Sequence, residues 1–381
     1  MRITIVTGFF LPVPPLGGGA TEKIWYGLAK IFASQGHSVV VISRRWPGLA
    51  DNENVDGVRH LRLPGFNHTR LLAANLVLDF IWGIRATAAA PKADVIICNT
   101  ISMPSWLHRL KSSAGKVAVM IGRVPKGQLL FYRDVARIYV PSTFVAGKVR
   151  SARLSKLTRV TGYPIDWPLH ARSAARTAPP LTIGYIGRLN PEKGIALLVR
   201  AAIKLSSRPG LPEWRLRLVG PSGVGEGGGG EQWLGALKEV ANRFLGQRVE
   251  WLPPEFDPVR LAEIYGSLDV FCYPSLAEKG ETFGVSVAEA MAAGCAVVVS
   301  KLSCFSDLIM DGRNGLVFDH QASNAEDLLA DRIAILLSDG WLRHEIANHG
   351  QAYSSRFDYP QVAGLILADL ALLTGAGPEK R

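Results

Sequence analysis

Two glutamates eight positions apart, Glu281 and Glu289, carry the strongest chemical signal in this 381-residue chain. An apolar run, Val270 to Pro274, precedes them, and a second one, Cys295 to Val299, follows. Between the runs, Val285 to Ala293 is rich in Ala, Glu and Met and reads as a helix. Glu281 then lies in the loop at the end of a strand, and Glu289 lies on the helix that follows. A carboxylate accepts several hydrogen bonds and suits two or three hydroxyls of a sugar or ribose. The amides of Thr282 to Val285, at the helix start, favour an anion such as phosphate. A second cluster, Gly187 to Gly194, holds Arg188 and Lys193, two cations on one loop that suit a diphosphate. A third, Gly17-Gly18-Gly19, allows close backbone approach to a ligand, although it is not GxGxxG. Plain alternatives stand beside each reading: a surface charge for Glu289, a carboxylate resting on a helix dipole for Glu281, exposed charges for Arg188 and Lys193, and a simple turn for the glycines.

These groups need strand ends to position them. Arg2 to Thr7 is a β-branched strand, Thr21 to Ser34 has helical spacing, and Val39 to Ser43 is a second strand. That order is a βαβ unit with parallel strands. Further strands are expected at 93–98, 116–121 and 136–140, and a basic helix at 145–156. Residues 167–180 are poor in large apolar side chains and read as a linker. The pattern then restarts with Leu181 to Gly187, followed by a helix at 195–205, strands at 214–219 and 249–252, helices at 232–244 and 258–267, and a late strand at 316–318. Gly225 to Gly230 is expected to be poorly ordered. Two successive α/β domains follow, 1–170 and 171–381. In such sheets ligands sit at the carboxyl ends of strands, where every candidate loop falls.

The charge is uneven. Net charge is +11, yet residues 1–170 hold 22 Lys and Arg against 8 Asp and Glu, whereas the remainder holds 21 against 24. A basic first domain fits either a solvated face or an anionic lipid or acceptor. Four scattered cysteines form neither a disulfide framework nor a zinc motif, and no acidic cluster suggests a bound metal. The chain opens on a strand, and the apolar stretch 71–90 is interrupted by Asp79 and Arg85, which makes it a poor membrane span. A cytoplasmic protein is expected, peripheral at a membrane surface.

Together the motifs resemble the retaining glycosyltransferases of family 4, which have the GT-B architecture of two Rossmann-like domains facing across a cleft. The resemblance rests on Gly18-Gly19, Gly187-Arg188, Glu192-Lys193-Gly194, Pro274-Ser275, and above all the E-x7-E span from Glu281 to Glu289 with Phe283-Gly284 inside it. Glu289-Ala290-Met291-Ala292, Asp311-Gly312 and Asn314-Gly315-Leu316 extend it. It covers essentially the whole chain, strongly over 181–320 and more loosely over 45–170. The resemblance implies that Arg188 and Lys193 bind the donor diphosphate and stabilise the leaving group, and that Glu281 meets the donor sugar. It gives the amides of Phe283, Gly284 and Val285 to sugar and phosphate, Glu289 to the ribose, Gly18 and Gly19 to the distal phosphate, and Leu252 to the base. It implies a UDP- or GDP-sugar donor, no cofactor and no metal. The leaving phosphate would itself take the acceptor proton on the same face. The acceptor would be a glycan or lipid-linked glycan in bacterial polysaccharide synthesis at the inner membrane face, or alternatively a small metabolite; nucleic acid is not an expected partner.

One departure is visible. The family often has a His after the strand at 117–121, where this chain has Gly122-Arg123-Val124-Pro125-Lys126. Arg123 or Lys126 would take a polar role there, or the donor would be oriented differently. A catalytically inactive glycosyltransferase-like subunit is opposed by the intact Arg188, Lys193, Glu281 and Glu289. A nicotinamide oxidoreductase is opposed by the missing GxGxxG. The resemblance also implies closure about a hinge near 167–180, with the helices after Phe357 packing back on the first domain.

Overall fold

The computed structural model describes residues 1–16, 19–171 and 179–375. Gly17, Gly18 and half of the expected linker, residues 172–178, lie outside the described residues. The chain divides into two compact units: Met1–Pro164 together with Tyr359–Arg381, and Ile165–Asp358.

The first unit is built on an eight-stranded sheet. Its strands are β1 (Arg2–Val6), β2 (Ser38–Arg44), β3 (Asn52–Val55), β4 (Val58–Leu63), β5 (Val95–Cys98), β6 (Lys116–Met120), β7 (Val135–Val140) and β8 (Thr158–Val160). The spatial order is β3-β4-β2-β1-β5-β6-β7-β8. Every pairing is parallel except β3 with β4, an edge hairpin that the sequence reading did not anticipate. Its strands are short and carry Asn, Glu, Arg and His among their apolar residues, so the alternation is weak. Helices α1 (Ala20–Ser34), α2 (Leu72–Ala89), α3 (Leu107–Leu110), α4 (Thr143–Ala146) and α5 (Ala152–Lys156) complete the ascending chain. The last two replace the single basic helix expected over 145–156. Ser142 caps one and Ser151 caps the other, each accepting a bond from an amide three residues on, so the helix restarts instead of continuing.

Both faces of this sheet are covered, as parallel strands require. Ile3 and Ile5 pack with Ile24, Trp25 and Leu28 of α1 on one side, and Trp82 and Ala86 of α2 pack with Val6, Ile42 and Ile96 on the other. Asp79 interrupts α2 for a local reason: its buried carboxylate accepts bonds from the amides of Ile101 (3.1 Å) and Ser102 (2.8 Å) and from the Ser102 hydroxyl (2.7 Å), fixing the turn after β5. By length and composition alone α2 is apolar enough to cross a membrane.

The second unit has six strands, all parallel. They are β9 (Leu181–Ile186), β10 (Trp214–Val219), β11 (Val249–Leu252), β12 (Val270–Tyr273), β13 (Ala296–Ser300) and β14 (Leu316–Phe318), ordered β11-β10-β9-β12-β13-β14. Its helices are α6 (Trp167–Ala171), α7 (Ile195–Ser206), α8 (Glu231–Leu245), α9 (Pro258–Gly266), α10 (Val285–Ala292), α11 (Ala325–Ser338) and α12 (Gly340–Ser354). Residues 167–171 are therefore an ordered helix. The Trp167 indole donates to the Gln351 carbonyl (3.0 Å), and His170 is buried. The glycine-rich loop is also ordered. The amides of Gly228, Gly229 and Gly230 donate to the carbonyls of Gly223, Leu189 and Ser222, which a composition argument cannot see.

The final helix, α13 (Tyr359–Thr374), belongs to the first unit and packs on α1. Val362, Ala363, Ile366 and Leu370 join the α1 core. Asp369 ties it to the sheet through Arg137 (2.6 Å), Arg159 (3.4 Å) and the Tyr139 hydroxyl (2.9 Å).

His60 sits buried on β4 with neither ring nitrogen hydrogen-bonded. Burial, aided by the nearby Arg62 guanidinium, lowers its pKa from 6.5 to about 4. The unfolded chain takes up this proton first, so the neutral ring stabilises the fold above pH 6.5 and that contribution is lost as pH falls toward 4. The urea midpoint of the wild-type protein should fall more steeply between pH 7 and 5 than that of His60→Leu. Parallel slopes would remove His60 as the cause.

Candidate active site

The candidate groups of the second unit gather where β9 and β12 end. After β9, Gly187 starts a loop that carries Arg188 and reaches a single 3-10 turn, Pro191–Lys193. Asn190 caps that turn, its side-chain oxygen accepting from the Lys193 amide (3.1 Å), and its amide group donates to the Gly227 carbonyl (2.9 Å). Gly194 follows in the left-handed region, with φ of 71°. A side chain there would collide with the Pro274 carbonyl at the end of β12. Only glycine lets the two loops close on each other. The Leu276 amide then donates to the Glu192 carbonyl (2.8 Å) and locks them.

This closure buries Lys193 against Glu281, and the two form a salt bridge. Glu281 also accepts from the Tyr273 hydroxyl (3.0 Å) and the Ser275 hydroxyl (3.1 Å). All three bonds fall on Oε1, so Oε2 is the oxygen left to accept from a ligand hydroxyl. Burial first, and then the Glu281 charge, raise the Tyr273 pKa well above the usual phenol value, which keeps its proton available for donation. Arg188 is placed differently. It is about half exposed, and among the described residues its ion pair is a loose one to Glu192 at 3.6 Å. Surface pairs of this kind contribute about 0–1 kcal/mol, so little opposes its transfer to an anionic ligand.

Gly284, with φ of 93°, starts α10, and a Cβ there would stand 2.6 Å from the Phe305 ring. Val285 is the first helical residue, so its amide belongs to the helix end that favours anions. The Phe283 side chain is core, edge-on to Phe357 with ring centres 5.0 Å apart, and only its main chain could face a ligand.

Glu289 does not meet Glu281. It is buried separately, accepting from the Tyr265 hydroxyl (3.0 Å), and His170 of α6 lies 3.9 Å away. An aromatic row lies between the two carboxylates: Tyr265, Phe271, Tyr273 and Tyr185, with successive ring centres 5.8, 6.2 and 5.6 Å apart. Sequence reasoning missed His170, Tyr265 and Tyr273. The only available signal was the position of Tyr273 directly before Pro274-Ser275. Leu252 ends the edge strand β11, separated from β12 by β10 and β9, and is not drawn into this cluster. Gly19, in the first unit, has φ of 97° and leaves no room for a Cβ beside Leu11 and the buried Glu22. Burial raises the Glu22 pKa. Among the described residues, no three His, Cys, Asp or Glu side chains are grouped to hold a metal ion.

Comparison with known proteins places this geometry. Residues 170–353 match the glycosyl transferases group 1 family, and residues 19–124 match the glycosyl transferase 4-like domain. The chain is 32% identical over 326 residues to the phosphatidyl-myo-inositol mannosyltransferase of Mycobacterium tuberculosis, covering 84% of this chain and 75% of the relative. It is 25% identical over 402 residues to spore coat protein SA of Bacillus subtilis, covering 97% of this chain and 98% of that protein. Among solved structures, sucrose-phosphate synthase from Thermosynechococcus elongatus superposes with a TM-score of 0.77 at 21% identity, over 99% of this chain and all of the other. Anabaena HepE in complex with UDP and glucose gives 0.71 at 19% identity, over 97% and 99%. At such identities the structural likeness speaks for the fold alone, whereas the family matches and the mannosyltransferase relative settle the membership. The chain belongs to the family 4 glycosyltransferases and has their GT-B fold of two Rossmann-like domains.

Proposed function

We propose that the protein transfers a sugar, with retention of anomeric configuration and without a metal ion, from a nucleotide diphosphate sugar to a hydroxyl of a glycan or lipid acceptor. The observation that carries the reading is the buried Lys193–Glu281 pair at the joined ends of β9 and β12, with Arg188 loosely held on the same loop. Rupture of the bond between the anomeric carbon and the diphosphate leaves negative charge on the leaving group. Preorganised cations stabilise that charge more in the transition state than in the ground state. Arg188 and Lys193 would supply them, in the role a metal ion fills elsewhere. Glu281, clamped through Oε1, would receive donor sugar hydroxyls on Oε2. Glu289, steadied by Tyr265 and His170, would receive those of the ribose.

The leaving phosphate would take the acceptor proton on the face it departs from, so no enzymic base is called for there. UDP and GDP are the candidate nucleotides of the donor. UDP has support from HepE, solved with UDP and with UDP-glucose. The mannosyltransferase relative, named for a phosphatidylinositol acceptor, favours a lipid acceptor and with it a place at the cytoplasmic membrane face.

Four outcomes are expected. Arg188→Ala should lower kcat by about 2–4 kcal/mol in activation free energy while leaving the melting temperature nearly unchanged, because the side chain is exposed. Lys193→Ala should lower both, because it strands the buried Glu281 carboxylate. Near-wild-type donor turnover in either variant would remove that residue from the chemistry. Tyr265→Phe should raise KM for the donor more than it lowers kcat, since it loosens a ground-state contact; an unchanged KM would separate Glu289 from donor binding. Activity should persist in EDTA, and strict dependence on added manganese would defeat the metal-independent mechanism.

A further inference from the structure

One side of α2 is largely exposed among the described residues, with Phe80 edge-on to the Trp106 ring (5.9 Å). Asp79, Trp82, Gly83, Ala86 and Thr87 of this helix are buried. The helix is apolar outside that set as well: Leu72, Leu76, Phe80 and Ile84 are 42–69% exposed. A spacing of four residues drifts by about 40° per step on a helix, so these four make one continuous stripe. A helix apolar all round belongs in an interior, yet this one lies on a surface. The stripe extends beyond α2. The Asp79 carboxylate holds the Ile101 amide, and the Ile101 carbonyl accepts from the Tyr132 hydroxyl (2.9 Å). Tyr132 closes the turn Gln128–Phe131, where Leu130 and Phe131 are 80% and 66% exposed and Ile101 is exposed between the two elements.

Charge identifies the occupant. Residues 65–135 contain nine Lys and Arg, three Asp and no Glu. Of the three, Asp79 is buried, Asp94 pairs with Arg2, and Asp134 pairs with Arg109. Four of the exposed cations stand at the two apolar tips: Arg70 precedes Leu71 and Leu72, while Arg123, Lys126 and Arg133 flank Leu130 and Phe131. Apolar side chains rimmed by arginine and lysine match the acyl boundary and the anionic headgroups of a bilayer. A second protein copy would bring the same cations together.

We propose that α2 and the 123–133 loop form a docking surface that seats in the headgroup layer of an anionic membrane and holds the first unit against a lipid-borne acceptor. The proposal rests on the lipid-acceptor reading above, while its test does not use the transfer reaction. The full chain should co-sediment with vesicles of phosphatidylcholine and phosphatidylglycerol, bind poorly to phosphatidylcholine alone, and release in high salt. The triple variant Leu72→Gln, Leu76→Gln, Phe80→Gln should lose about tenfold or more in partitioning, and so, separately, should Leu130→Gln with Phe131→Gln. Both should keep the wild-type melting temperature and rate of donor hydrolysis. Wild-type partitioning by both variants would overturn the proposal. A dimer that these substitutions dissolve, in a protein that ignores vesicles, would also overturn it and assign the face to a second copy. Loss of donor hydrolysis by the wild-type protein would count against the transferase reading and leave the vesicle result standing.

Discussion

The site depends on one buried ion pair. Removing an ammonium and a carboxylate from water costs several kcal/mol each, and their attraction repays it only when the remaining hydrogen-bonding capacity is filled. For Lys193 and Glu281 that repayment comes from Tyr273 and Ser275, and both sit on the strand end that Gly194 allows to approach. The tight loop junction, the aromatic ring beneath the lysine and the orientation of the carboxylate are therefore one arrangement. It fixes which carboxylate oxygen is left to accept a hydrogen bond before any ligand arrives, which is the preorganisation that electrostatic catalysis requires.

The second carboxylate follows the same rule with different partners. Glu289 would be an expensive side chain to bury on α10 were it not for the Tyr265 hydroxyl and the imidazole of His170. Both tyrosines that serve the glutamates belong to one aromatic row, so the two anchor points share a rigid floor. Because α6 supplies His170, the segment entering the second unit helps enclose Glu289 as well as making a connection.

In the first unit the governing constraint is coverage of a parallel sheet. One face is closed by α1 together with α13, which the Asp369 cluster fastens to β7 and β8. The other face takes only half of what α2 offers. Apolar side chains left in water are a standing cost that folding does not relieve, and a large patch of them marks an interaction surface.

The sequence by itself determined the alternation of strands and helices, the two-domain plan and the loops that carry Arg188, Lys193, Glu281 and Glu289. Hydrophobic periodicity and strand-end glycines are local, and a parallel α/β sheet places strand ends together whatever the details. The tertiary structure alone decided that Arg188 is held loosely while Lys193 is locked to Glu281, that Glu289 has its own pocket, and that Tyr265 and His170 serve it. Those pairings join residues far apart in the chain, and no local pattern encodes them. The same holds for the bond that ties the glycine loop to distant Leu189, whereas the β3–β4 hairpin is local but its alternation is masked by polar residues. Leu71 to Ala90 shows the division most plainly. Its apolar character can be read from composition, but which of its side chains are buried and which face solvent is set by the sheet beneath it, because burial belongs to the neighbours of a residue and not to the residue.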